Sequence, residues 1–198
     1  MASGFGRGRA RMQRQTTKEL LAKSFMELAR TKPVNKVTVA NITENCGMTP
    51  PTFYRYFRDK YDLTAWIYAA NAQKYVDKIG RGGYAWRDAI LDGVKYFAEN
   101  AQFALNAFTR TSGRNAFLNQ VVEANDGFIA GEIRKALMSE RIPEELTAMV
   151  HIYCYGTGRY LMKWLTDGMP TPPGKSGGDY GSLPAGTFEI VPVNLNGG

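Results

Sequence analysis

The sequence predicts an all-α protein, with an N-terminal three-helix domain of helix-turn-helix type followed by a larger C-terminal helical domain. Apolar residues recur at helical spacing from Thr16 to about Trp164, capping residues and glycines punctuate that pattern, and no strand-like alternation competes before Gly168. The expected layout is a basic arm over 1–15, a helix-turn-helix domain over 16–62, a helical domain over 63–167 and a Gly/Pro-rich tail over 168–198.

Arginines separated by Gly4, Gly6 and Gly8 cannot build a core, so the arm is expected to be flexible. Leu20, Leu21, Phe25, Leu28 and Ala29 then mark a first helix, with Thr16 or Thr17 as its cap and Pro33 beyond its end. Thr38 caps a second helix whose expected apolar face is Val39, Ala40, Ile42 and Thr43, and Gly47 supplies the left-handed turn after it. A third helix is predicted from Thr49 to about Phe57, because Pro50 and Pro51 are tolerated where first-turn amides have no intrahelical partner. Asp59 caps a fourth helix from Lys60 to about Ile79, with Leu63, Ile67 and Ala70 on one face and Gly80, Gly82 and Gly83 breaking it. Further helices are predicted near 86–99, 101–109, 114–139 and 142–165, the last with Pro143 in its first turn and Glu144 and Glu145 at its positive dipole end. The tail is expected to be irregular apart from one alternating run, Phe188 to Val193.

Composition narrows the function classes. No apolar run approaches the roughly 20 residues that span a bilayer, and the arginine-bearing start lacks the apolar stretch of a secretory signal. Cys46 and Cys154 fall in separate helices without metal-ligand spacing and read as reduced thiols. A cytoplasmic protein with no membrane partner is expected. Charge is uneven: residues 1–60 carry 12 Lys/Arg against 4 Asp/Glu, and residues 61–198 carry 13 against 14. All the positive excess lies at one end, which suits a polyanion whose condensed counterions are released on binding.

The third helix carries the functional signal. Phe53 and Phe57 lie four residues apart and face one side, which leaves Thr49, Thr52, Tyr54, Arg55 and Tyr56 for the outer surface. Hydroxyls and a guanidinium suit phosphate oxygens and base edges, and the methyls of Thr and Pro suit thymine methyls. Lys60 is expected to meet a phosphate with its charge and the helix amides around it.

The stretch from Thr38-Val39-Ala40-Asn41-Ile42 through Gly47-Met48-Thr49-Pro50-Pro51-Thr52-Phe53-Tyr54-Arg55-Tyr56-Phe57 to Asp59-Lys60-Tyr61-Asp62-Leu63 resembles the signature of tetracycline-repressor-type (TetR/AcrR) regulators, over roughly residues 16–66. The resemblance implies base contacts near Thr49, Pro50, Pro51 and Thr52, and backbone contacts from Tyr54 and Tyr56. It further implies phosphate contacts at the Thr38 cap and at Lys60. Many relatives carry His where this chain has Tyr56. Asp62-Leu63-Thr64-Ala65-Trp66 is similar to a subgroup that includes regulators of dihydroxyacetone utilisation, some of them activators.

The resemblance also implies a C-terminal domain that binds a small-molecule effector and dimerises the protein on palindromic double-stranded operator DNA, more often to repress than to activate. Phe97, Phe103, Phe108, Phe128, His151 and Tyr155 are the candidate effector contacts, drawn from a wider set of aromatics that is mostly core. The last two long helices are expected to build the dimer interface, with Gly156 and Gly158 permitting close approach. Effector binding would swing the fourth helix and change the separation of the two recognition helices.

An enzyme lacks its parts. Gly168 to Ser176 has five residues between its glycines where a phosphate-binding loop has four, and it follows a helix instead of a strand. With one histidine and no nucleophile or metal-ligand cluster, no catalytic residue, metal or cofactor is expected. The remaining rival is a helical protein-binding adaptor with nonspecific nucleic-acid affinity.

Overall fold

The computed structural model describes residues 15–170. The expectations for the arginine arm and for the tail beyond residue 170, including the run Phe188 to Val193, lie outside the described residues. Among the described residues there are eight α-helices and no strand: α1 Thr17–Ala29, α2 Val39–Asn45, α3 Pro50–Tyr54, α4 Lys60–Val76, α5 Trp86–Glu99, α6 Ala101–Arg110, α7 Phe117–Leu137 and α8 Glu144–Thr166.

Local chemistry sets most boundaries. Thr16 caps α1 by accepting from the Glu19 amide at 3.2 Å while the Glu19 carboxylate accepts from the Thr16 amide at 2.7 Å, a reciprocal pair at the helix start. Thr38 and Asn41 repeat that exchange at α2. Gly47, at φ +68°, turns the chain out of α2. The third helix is shorter than expected: it ends at Tyr54, and Arg55 and Tyr56 close it before Asp59 starts α4. The fourth helix likewise stops at Val76, ahead of a turn in which Gly80, Gly82 and Gly83 all take positive φ. The seventh starts at Phe117 after a short 3-10 turn, where the Thr111 hydroxyl accepts the Phe117 amide at 2.7 Å.

Leu21, Phe25, Val34, Val37, Ile42, Phe53, Phe57, Leu63 and Ile67 form the N-terminal core, each at most 3 % exposed. Burying a side chain of this size contributes about 1.5–3 kcal/mol, so a core of nine such residues defines a unit of its own. Ala40 departs from expectation and is exposed. The seven-residue α2 turns Ile42 into the core, and Ala40, two residues earlier, lies across the helix from it. The C-terminal domain has two clusters, one about Tyr68, Phe97, Phe108, Phe117 and Trp164 and the other about Val122, Ile129, Ile133, Val150 and Cys154.

Two helices belong to both domains. On α4, Leu63 and Ile67 enter the N-terminal core and Tyr68 enters the C-terminal one. On α6, Phe103 packs edge-on to Phe25 at 6.0 Å and to Phe117 at 6.4 Å, so one ring joins the two cores.

Candidate nucleic-acid interface and effector cavity

The face expected to meet DNA is built on a very short helix. Phe53, fully buried, and Phe57, 3 % exposed, pack 5.7 Å apart and fix α3 to the core. Pro50 and Pro51 remove two of the first-turn amides, and Thr49 makes no side-chain cap; its hydroxyl lies 3.1 Å from that of Thr52 instead. Thr38, Thr49, Pro50, Pro51, Tyr54, Arg55 and Tyr56 are exposed and Thr52 is half-buried. Tyr54 is 60 % and Tyr56 38 % exposed, so neither is the partly hidden core residue that aromatic character alone would suggest.

Lys60 stands differently from the expectation. Its ammonium donates to the carbonyls of Asn35 at 2.8 Å and Val37 at 2.7 Å, which ties the start of α4 to the segment after α1. Burial holds its pKa below the ordinary lysine value. The neighbouring amides of Tyr61 and Asp62 are taken by the Asp59 carboxylate at 2.8 and 2.9 Å. That helix start therefore has less to offer a phosphate than the sequence suggests, because an anion already fills its positive end.

A second feature lies in the C-terminal domain. A cavity of about 110 Å³ opens between α4, α5, α7 and α8. Phe97 and Phe128 line it. The other four candidate effector contacts do not. Phe103 and Phe108 are packed into the cores, where their rings meet Phe117. His151 is on the surface, with Nδ1 2.6 Å from the Asp126 carboxylate, and Tyr155 is 49 % exposed on the outer side of α8. A helix of 23 residues presents successive aromatics in different directions, and residue type does not say which turn faces inward.

The polar lining was missed by a search for aromatics. Asn71 stands four residues after Ile67, and Asn125 four after Val121 and four before Ile129, so each interrupts a buried apolar stripe. A polar residue in such a stripe is the available sequence signal. Tyr68 donates to Asn125 Oδ1 at 2.6 Å, and Asn71 donates to the Ile67 carbonyl at 2.8 Å and to the Tyr96 oxygen at 3.1 Å. Burial pushes the Tyr96 and Tyr153 phenols up to about 12 and raises Tyr68 further, so all three stay protonated near neutrality.

Gly158 also takes a different part from the one expected of it. A Cβ there would come within 2.9 Å of Leu118 Cδ1, so it allows α8 to close on α7 within one chain, whereas Gly156 faces open space.

Two family models match this architecture: "Bacterial regulatory proteins, tetR family" over residues 24–65 and "Transcriptional regulator C-terminal region" over residues 84–175. The chain belongs to the TetR family of transcriptional regulators. Members of the TetR family are DNA-binding transcription factors and not enzymes, and that assignment displaces the adaptor reading. The HTH-type dhaKLM operon transcriptional activator DhaS of Lactococcus lactis is 25 % identical over 92 residues, which are 46 % of this chain and 49 % of that relative. The match thus spans about half the relative's length. Among solved structures, that of the dihydroxyacetone kinase operon activator DhaS aligns at TM-score 0.54 and 17 % identity over 76 % of this chain and 85 % of its own. The fatty acid degradation regulator FadR of Bacillus halodurans aligns at TM-score 0.51 and 14 % identity over 94 % and 97 %. At these identities the structures speak for the TetR fold.

Proposed function

We propose that this TetR-family regulator binds a palindromic operator as a homodimer through the exposed face of α3, and that a small molecule in the cavity between α4, α5, α7 and α8 controls that binding. The observation that carries the reading is the division of α3 into two sides. Phe53 is wholly buried, while Thr49, Pro50, Pro51 and Tyr54 stand in solvent with hydroxyls and methyls that no packing requires. Such a short helix, presented by its N-terminal end, is the part of a helix-turn-helix that enters a major groove. Tyr56, Arg55 and the Thr38 cap flank it and are the proposed backbone contacts. Lys60 acts mainly by holding the loop that carries Thr38.

Control follows from α4. Tyr68, Asn71, Ala72, Tyr75 and Val76 of that helix line the cavity, and its first residue directly follows the Asp59 cap beyond α3. A ligand that favours one position of α4 thereby favours one separation of two recognition helices. The proposed dimer surface is the outer side of α8, where Met149, Ile152, Tyr155 and Tyr160 are 39–71 % exposed at helical spacing. Its proposed occupant is the same face of a second copy, with the protein in the cytoplasm beside its DNA. Repression needs no surface beyond these. Activation is the second reading, favoured by the partial match to DhaS, a transcriptional activator.

The test is enrichment of fragments from the source genome by the full chain in excess competitor DNA. Repeated recovery of an inverted repeat is expected, with half-sites about one helical turn or a small multiple of it apart. Recovery without a shared sequence would overturn the reading.

A further inference from the structure

We infer that the cavity selects an uncharged, ring-sized molecule that brings a hydrogen-bond acceptor, such as a ketone, ester or ether oxygen, to the Tyr153 hydroxyl. The inference rests on the reading that a small molecule occupies this cavity, and adds what that molecule must be.

The lining holds no Lys, Arg, His, Asp or Glu. An anion or cation entering it would lose its hydration with no opposite charge to replace it, which disfavours either ion strongly. The wall is mostly aliphatic and aromatic, which favours an apolar body.

What favours a ketone over a plain hydrocarbon ring is the state of the few polar groups in the wall. The Tyr153 hydroxyl is buried with no acceptor for its proton, since the Trp86 side chain beside it can only donate. Asn125 accepts from Tyr68 on its oxygen and keeps its NH₂ group to present. Asn71 is arranged the other way: its NH₂ group is taken by Ile67 and Tyr96, and its oxygen receives Lys74 at 3.3 Å. Tyr96, having accepted from Asn71, keeps its own proton to give. The wall therefore offers O–H and N–H donors from Tyr153, Asn125 and Tyr96, of which the Tyr153 hydroxyl is buried without an acceptor. A buried donor left without a partner is costly, and an acceptor oxygen on the ligand removes that cost.

Size limits the ligand to one small ring: at about 110 Å³ the cavity is below the roughly 150 Å³ of an apolar site known to admit benzene, so a ring enters only as wall side chains give way, and a methyl added at Gly93 would meet nothing within 4 Å.

Isothermal titration of the full chain with one ring bearing different groups tests this directly. Cyclohexanone is expected to bind at least tenfold more tightly at pH 7 than cyclohexanecarboxylate or cyclohexylammonium. Tyr153→Phe should weaken cyclohexanone about fivefold, the usual worth of one neutral hydrogen bond, and leave benzene, which has no acceptor oxygen, unchanged. Gly93→Leu, which fills the cavity, should abolish both. Equal or tighter binding of either ion, an unaltered cyclohexanone affinity in Tyr153→Phe, or no binding by any ring compound would overturn the inference. A ketone that binds as described but leaves operator affinity untouched supports the ligand class and overturns the control reading instead.

Discussion

Val34 and Asn106, 72 residues apart in sequence, are joined by a hydrogen bond from the Val34 amide to Asn106 Oδ1 at 2.8 Å. The same Asn106 side chain donates to the carbonyls of Ala29 at 2.8 Å and Lys32 at 2.7 Å, so α6 of the C-terminal domain closes the C-terminal end of α1. Helix ends leave carbonyls unsatisfied, and here the other domain supplies the donor. With Phe103 on the same helix, α6 becomes a fixed strut between the domains. The Gln120 side chain adds a parallel link from α7, donating to the Tyr61 carbonyl at 3.1 Å.

Asn106→Ala removes three of these hydrogen bonds and leaves the part-buried Ala29 carbonyl and Val34 amide without their partner, while the exposed Lys32 carbonyl can turn to water. We expect a loss of about 2–4 kcal/mol in urea unfolding, since each net bond is worth about 1 kcal/mol and orphaned partners cost more. Asn106→Asp, which keeps the acceptor and loses the donors, should be similarly damaging. A loss under about 0.5 kcal/mol in both, less than one net hydrogen bond, would show that the Asn106 bonds do not hold the domains together.

The two glycines of α8 should respond differently. Gly158→Ala places a methyl 2.9 Å from Leu118 Cδ1, the end of a half-buried side chain that must turn aside, and this offsets the gain in helix propensity. Gly156→Ala meets nothing within 4 Å and keeps the whole gain, about 0.5–1 kcal/mol in the stabilising direction for an isolated chain. The denaturant midpoint of Gly156→Ala should lie above that of Gly158→Ala; the reverse order would contradict the contact.

Ile152→Asp tests the dimer surface without touching the core, because Ile152 is 71 % exposed in the single chain. Sedimentation velocity should show the wild type as a dimer and the variant shifted to monomer at micromolar concentration. A variant that remains dimeric would move the interface elsewhere.

Acid should loosen α1 first through its cap. Hydrogen bonds from the Thr16 backbone, then from its side chain, hold the Glu19 carboxyl below its ordinary value of 4.5. A depressed carboxyl contributes stability above its unfolded pKa and loses it as pH falls through the folded one. Glu19→Gln should therefore flatten part of the stability loss seen by melting between about pH 5 and 3, because the variant already lacks near pH 7 the contribution that wild type loses on acidification.

Much of this fold was legible in the sequence because its punctuation is local. Thr16, Thr38, Asp59 and Gly47 cap or turn their helices through groups only a few residues away, and those chemistries are readable in order along the chain. The length of α3 was not, since Arg55 and Tyr56 are acceptable helix residues and nothing in their local sequence marks an end; Phe57 is held by distant partners such as Trp66. The exposed α3 face was readable from the Phe53–Phe57 spacing. The role of Lys60 was not, because its partners are carbonyls of a loop more than 20 residues earlier. For the cavity, aromatic content pointed to Phe97 and Phe128 but equally to Phe103, Phe108 and Tyr155, which face elsewhere. The polar interruptions Asn71 and Asn125 were the better sign.

Everything proposed for function turns on the exposed side of α3 making the contact with DNA. Fluorescence anisotropy with the duplex enriched from the genome, comparing wild type and Tyr54→Ala at the same salt concentration, tests it most directly. Tyr54→Ala should melt like wild type and bind at least tenfold more weakly. Equal affinity of the two folded proteins for that duplex would contradict the claim.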